Sequence, residues 1–140
     1  MHSSDCVFCK IVSGAIPACV VFEGKDCLAF LDVSPLSIGH TLLIPKQHVV
    51  NMLDASPELV ASLGRHLPQL ANAINTATGA AGLNVLQNSG APSGQAVFHL
   101  HFHLIPRFAG DGLGYRWNAG TYEPGQSDEV KNRIIAALKE

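Results

Sequence analysis

The chain has 140 residues, which suits one domain, and 47% of them are hydrophobic, so a sizeable core is available. Charged residues make up only 14% and the formal net charge is −2, a balance that leaves no basic footprint for duplex nucleic acid. No apolar run reaches the roughly 18 residues of a membrane span, and "MHSSDCVFCKIV" lacks the basic start and long apolar stretch of a signal peptide. A cytoplasmic protein with no membrane partner is expected.

In chain order, "CVFCKIVSGAIP" reads as a short helix closed by Gly14 and Pro17. "CVVFEG" and "DCLAFLD" read as two strands joined by a tight turn from Glu23 to Asp26. "TLLIP" reads as a short buried strand after the loop "PLSIGH". Ser56, Pro57 and Glu58 make a helix start, with Ser as N-cap and Pro in the first turn. Val60, Leu63, Leu67, Leu70 and Ile74 then form one apolar stripe of a long helix that Gly79 can end. Pro68 should kink or split it, because proline removes a backbone donor and crowds the preceding turn. "GLNVLQN" reads as a strand and "SGAPSGQA" as a loop. "FHLHFHLIPR" then alternates strictly, which predicts a strand from Phe98 whose pairing Pro106 ends. After a glycine-rich stretch, Ser127 to Lys139 reads as a final helix, with Ser127 as N-cap and Val130, Ile134, Ile135 and Leu138 on one face. The pattern predicts an α+β domain on a mostly antiparallel sheet.

The histidine strand raises the functional question. His99, His101 and His103 occupy every second position, so they share one face, with neighbours about 7 Å apart from a rise of about 3.3 Å per residue. Phe98, Leu100, Phe102 and Leu104 would face a core. A polar outer face does not need imidazoles, which leaves a metal centre or phosphate chemistry with histidine as nucleophile or acid/base.

The four cysteines need a reading suited to a reducing compartment. Cys27 and Cys19 lie in apolar runs and read as small core residues. Cys6 and Cys9 form a C-x-x-C placed before any strand, which favours two ligands of a tetrahedral zinc over a redox pair or two unligated thiols. His48 and His99 are candidates for the other two. "NSGAPSGQA" supplies flexible backbone amides, Gly94, Gln95 and Ala96 among them, directly before the histidines, where a phosphate can approach the main chain.

These stretches resemble the histidine triad (HIT) family. Gln95 to Leu104 is similar to its histidine-alternating motif, and "CVFCKIVSGAIP", "CLAFLDVSP", "GHTLLIPKQHV" and "LNVLQNSG" are similar to its other blocks in the same order. The likeness is to a bacterial Hint-like branch and covers roughly residues 1–110, with 111–140 as a C-terminal extension whose helix is expected to pack on the same domain. It implies the HIT-like fold, with one long helix besides the short first helix and the terminal one. It also implies a homodimer, a purine nucleotide substrate, hydrolysis or transfer at the α-phosphate, and no organic cofactor. By match of position, His101 is the nucleophile, His103 and His40 support the phosphate, Asn88 contacts the phosphate region, and Asp32, beside Val33, binds ribose hydroxyls. Phe8, Ile11, Ile16 and Leu42 match the wall around the base. Cys6, Cys9, His48 and His99 match the ligands of a structural zinc.

Two features depart from that branch. Ala96 stands where a hydroxyl residue assists the leaving group, and the segment after Arg107 is longer, with Tyr115 and Trp117 expected near the site. Nucleoside phosphoramidates and dinucleoside polyphosphates both fit as substrates. Two alternatives remain open: a nucleotide-binding, zinc-stabilised interaction module with little turnover, and a catalytic metal held by all three triad histidines. Asp32 also suits a turn cap before Ser34 and Pro35.

Overall fold

Short apolar runs broken by turn residues give five strands, all antiparallel, in a computed structural model that describes residues 4–114 and 119–139. The first helix, α1 (Val7–Ser13), starts where the Cys6 sulfur accepts the Cys9 N–H and stops at Gly14, whose φ of 83° is left-handed. β1 (Val20–Glu23) and β2 (Cys27–Leu31) form the expected hairpin, closed by the Gly24 N–H on the Cys27 carbonyl. β3 (Thr41–Pro45), β4 (Gly82–Leu86) and β5 (Phe102–Arg107) complete a sheet of order β1-β2-β3-β5-β4. The architecture is α+β, as the pattern predicts.

The long helix is split. α2 (Pro57–Gly64) ends before α3 (Leu67–Thr78), with Pro68 in the first turn of the second piece, where its missing N–H costs no helical bond. Leu63, Leu70 and Ile74 still fall on one buried face. They pack with Cys27, Ala29, Leu43, Leu100, Phe102 and Leu104 on one side of the sheet. On the other side, α1 packs through Phe8 on Leu28, Phe30, Leu42 and Ile44. β3 supplies both layers and is buried throughout.

Several expectations are corrected. The histidine strand begins at Phe102, not Phe98. Its neighbours explain why: β4 pairs only as far as Leu86 opposite His103, and Pro45 of β3 has no N–H to continue the ladder beyond Leu43 opposite Phe102. The Leu100 N–H turns instead to the Val49 carbonyl at 2.8 Å. Alternation survives from Leu100 onward, but Phe98 is 49% exposed rather than in the core. Pro106 does not end pairing, because it lies opposite Leu83, and β5 has already passed the end of its register with β3 at Leu104. Cys27 is buried, whereas Cys19 is exposed in the segment entering the edge strand β1.

The terminal helix α4 (Gln126–Leu138) starts one residue early, after Gly125 and without a side-chain cap, so Ser127 is not its N-cap. None of its residues is buried, and Ile134 and Leu138 are 55% and 79% exposed. Tyr115 and Trp117 lie outside the described residues. Near residue 110 the chain is pinned back to the sheet. Arg107 donates through Nε and one terminal nitrogen to Asp111, and through the other to Asn84 of β4 at 2.7 Å. That fork holds the Asp111 carboxyl far below the usual range.

Candidate active site

The α1 face of the sheet carries a cavity of about 470 Å³, within the range of small-molecule sites. Val7, Phe8 and Ile11 form its α1 wall, with Ile16 just beyond. Phe30 and Leu42 form the floor, because cross-strand partners share a face. Asp32 and Val33 line the rim where β2 ends. Asn88, Gly94 and Ala96 line the opposite side from the glycine-containing loop. Buried His101 and half-buried His103 are its polar end. Val7, Pro17, Ala18, Phe30, Leu31 and Val97 also line it. Sequence reasoning missed these residues because an apolar residue looks the same in sequence whether it meets core or ligand.

His101 is 6% exposed, and its Nδ1 lies 2.7 Å from the His99 carbonyl oxygen. A carbonyl only accepts, so Nδ1 carries the proton and Nε2 keeps its lone pair. Phe8 stacks edge-on against both His99 and His101. Burial lowers the His101 pKa, against the opposing pull of the His99 carbonyl and the Asp32 charge. His103 Nδ1 is 2.9 Å from His40 Nε2. Burial, then the neighbouring His101 and His40, pushes His103 down to about 4. His40 stands behind His103 rather than on the cavity, is 2% exposed, and is lowered by burial against the pull of Asp32.

Asp32 caps the turn before Ser34 and Pro35 and also lies at the cavity rim. Its Oδ1 accepts the Ser34 N–H at 2.8 Å, closing the turn, while Oδ2 lies 3.7 Å from His40 Nε2 and the residue lines the cavity. Gln95 does not line the cavity. It is 5% exposed and bridges two loops: Oε1 accepts from Asn51 and the Gly90 N–H, and Nε2 donates to the Val50 and Val97 carbonyls. It braces the loop that presents Asn88 and Gly94.

The third histidine turns away from the cavity. Cys6, Cys9, His48 and His99 bring their ligand atoms within 4.8 Å of one another. His99 Nδ1 is 3.3 Å from the Cys6 sulfur, 3.5 Å from the Cys9 sulfur and 3.2 Å from His48 Nδ1. Zinc–sulfur bonds of about 2.3 Å and zinc–nitrogen bonds of about 2.05 Å at tetrahedral angles imply edges of ~3.6 Å for S···N and ~3.3 Å for N···N. The donor set therefore fits zinc in both chemistry and spacing. His99 Nε2 meets the Pro45 carbonyl at 2.8 Å, which turns Nδ1 toward the thiols and orients a ligating imidazole. With His99 committed here, the triad does not converge on one metal.

A protein-family model described as HIT domain matches residues 13–110. The chain is 42% identical to "Protein hit" of Bacillus subtilis, over 99% of this chain and 98% of that one. It is 40% identical to the adenosine 5'-monophosphoramidase hnt1 of Schizosaccharomyces pombe, over 96% and 99%. It is 46% identical to the adenylylsulfatase HINT3 of Arabidopsis thaliana, over 74% of this chain and 53% of that one. Among solved structures it is similar to SMU.412c from Streptococcus mutans (TM-score 0.94, 42% identity, 98% of this chain and 87% of that one). It is also similar to a Zn-bound histidine triad family protein from Mycobacterium smegmatis (TM-score 0.76, 38% identity, 96% of each). The domain match spans the whole sheet and both cavity histidines, and relatives of this length share 40–42% of its residues, so the chain belongs to the HIT family.

Proposed function

We propose that the protein is a nucleotide hydrolase or transferase that acts at the α-phosphate of purine nucleotide conjugates through a nucleotidyl-histidine intermediate. The observation that carries this reading is His101 at the polar end of an apolar cavity, its proton held on Nδ1 by the His99 carbonyl and its other nitrogen left with a lone pair. A buried imidazole that stays neutral at pH 7 is an available nucleophile.

In the first step a bond forms from His101 Nε2 to phosphorus as the bond to the leaving group breaks; a leaving amine takes a proton from solvent, and a leaving phosphate departs with the bonding electrons. Water then attacks the same phosphorus and gives its proton to solvent as the bond from phosphorus to His101 Nε2 breaks, which releases the nucleoside monophosphate and restores the neutral imidazole. Asn88, His103 and the amides near Gly94 supply donors around the phosphate oxygens as charge develops there. The apolar walls take the base, and Asp32 takes ribose hydroxyls. Two relatives support an adenosine nucleotide, since one is an adenosine 5'-monophosphoramidase and one an adenylylsulfatase.

Cys6, Cys9, His48 and His99 hold a structural zinc in this reading, supported by their spacing and by the Zn-bound relative. When bound, the ion supplies the positive charge that keeps both thiols ionised. The working form is a homodimer in the cytoplasm, with the site in residues 1–110 and the extension in 111–140. No described helix is long and apolar enough to cross a membrane.

The test is a turnover screen of adenosine phosphoramidate against a series of dinucleoside polyphosphates, read as release of nucleoside monophosphate. Turnover of at least one class is expected. No release from any of them would overturn the reading.

A further inference from the structure

Hydrogen bonding at the back of the cavity fixes which ring nitrogens carry protons. The main-chain N–H of Leu36 donates to Nδ1 of His40 at 3.0 Å. That nitrogen must offer a lone pair, so the one proton of a neutral His40 ring sits on Nε2. Two acceptors surround Nε2: His103 Nδ1 at 2.9 Å and the Asp32 carboxylate at 3.7 Å. His103 Nδ1 thus accepts, and the proton of the neutral His103 ring sits on Nε2, the nitrogen that His40 does not engage.

We propose that His40 is a positioning residue which, with the Leu36 main chain, holds His103 as a neutral imidazole and a standing N–H donor to a phosphate oxygen. His103 is then not an acid that gives up and regains a proton in each turnover. This rests on the reading of the cavity as a phosphate site and deepens it. The charged and titratable groups facing His103 are His40, His101 and Asp32. Burial dominates them and depresses both His103 and His40, so the order of donors does not depend on a proton arriving near pH 7. A neutral donor fixed in advance stabilises developing oxyanion charge without reorganising.

The same order disfavours a cation at Asp32, His40 and His103, whose ligand atoms also lie within 4.8 Å of one another. Ligation through His40 Nε2 would move its proton to Nδ1, directly against the Leu36 N–H.

The experiment is long-range proton–nitrogen correlation NMR on full-length protein with labelled histidines, free and with adenosine monophosphate. The expected wild-type result is a protonated Nε2 and an unprotonated Nδ1 on His103 across pH 6–8 in both states. His40→Gln, whose amide can accept and donate, should keep that order. His40→Glu, which can only accept once ionised, should reverse it and weaken nucleotide binding about tenfold or more relative to His40→Gln, the cost of one lost donor to a charged group. A wild-type His103 that is doubly protonated or carries its proton on Nδ1 would overturn the proposal, even if His40 variants fail to fold. So would a His40→Glu protein with unchanged nucleotide affinity and tautomer. The wild-type spectrum needs no turnover. Absent turnover with this proton order intact therefore counts against the proposed reaction alone.

Discussion

His99, His101 and His103 differ in role because each ring meets a different partner: a cluster of thiols, a carbonyl and another histidine. Alternation in the sequence was enough to separate 101 and 103 from the apolar residues between them. The contacts that assign their protons lie far away in sequence and could not be read there. Gln95 shows the limit more sharply. Its place beside the motif suggested a ligand contact, while its four hydrogen bonds brace loops instead. His101→Asn should abolish turnover while retaining nucleotide binding, and His103→Ala should only weaken turnover. Rapid-quench mass spectrometry of the wild type should find the nucleotidyl adduct on His101, and an adduct on His99 or His103 would contradict the mechanism. The acid side of the pH profile follows from burial. His101 lies below the ordinary imidazole value of 6.5, so its lone pair persists where an exposed histidine is already charged. The kcat/KM should therefore hold as pH falls through 6.5 and decline only below it. Stability should weaken in the same direction. The unfolded chain binds a proton at residue 103 that the folded one refuses, between pH 6.5 and about 4.

At the scale of elements, the sequence displayed most starts and stops through Gly14, Pro57, Pro68 and Gly79, whose backbone constraints act locally. It misplaced the start of β5, because strand ends depend on what the neighbouring strands offer, here a proline and an early end of β4. It also gave α4 a serine cap that the fold does not use. The most consequential junction joins three elements. α1 contributes Cys9 and its N-cap Cys6, the segment after β3 contributes His48, and the segment before β5 contributes His99. Elemental analysis of protein purified without chelators should find one zinc per chain. Cys9→Ser should lose it and lower Tm by at least about 8 °C, corresponding to ~2 kcal/mol in a domain of this size. Because α1 is also a wall of the cavity, the same variant should raise the KM for nucleotide. Full thermal stability without metal would refute the structural role.

For the whole molecule, an α+β class and an antiparallel sheet were legible from composition and period, but the strand order was not. Placing β5 between β3 and β4 is set by which faces can be buried together, a long-range matter. Exposed apolar residues remain on β4, with Val85 at 48% and Leu86 at 38%, and along one side of α4. Surface of this kind favours a two-fold pair. Light scattering at micromolar concentration should give about twice 14.8 kDa, and a single-chain mass would remove the dimer. The position of β3 carries a different consequence. Its residues belong alternately to the two cores, Leu43 to the one under α2 and α3, Leu42 and Ile44 to the one under α1. Neither layer can melt while the other stays intact, so the domain should unfold as one cooperative unit rather than by stages. The amides of Leu42 to Ile44 should be among the last to exchange with solvent, at the free energy of global unfolding. A single truncation, Leu43→Ala, at about 2–5 kcal/mol, should loosen the nucleotide wall even though Leu43 faces the opposite core.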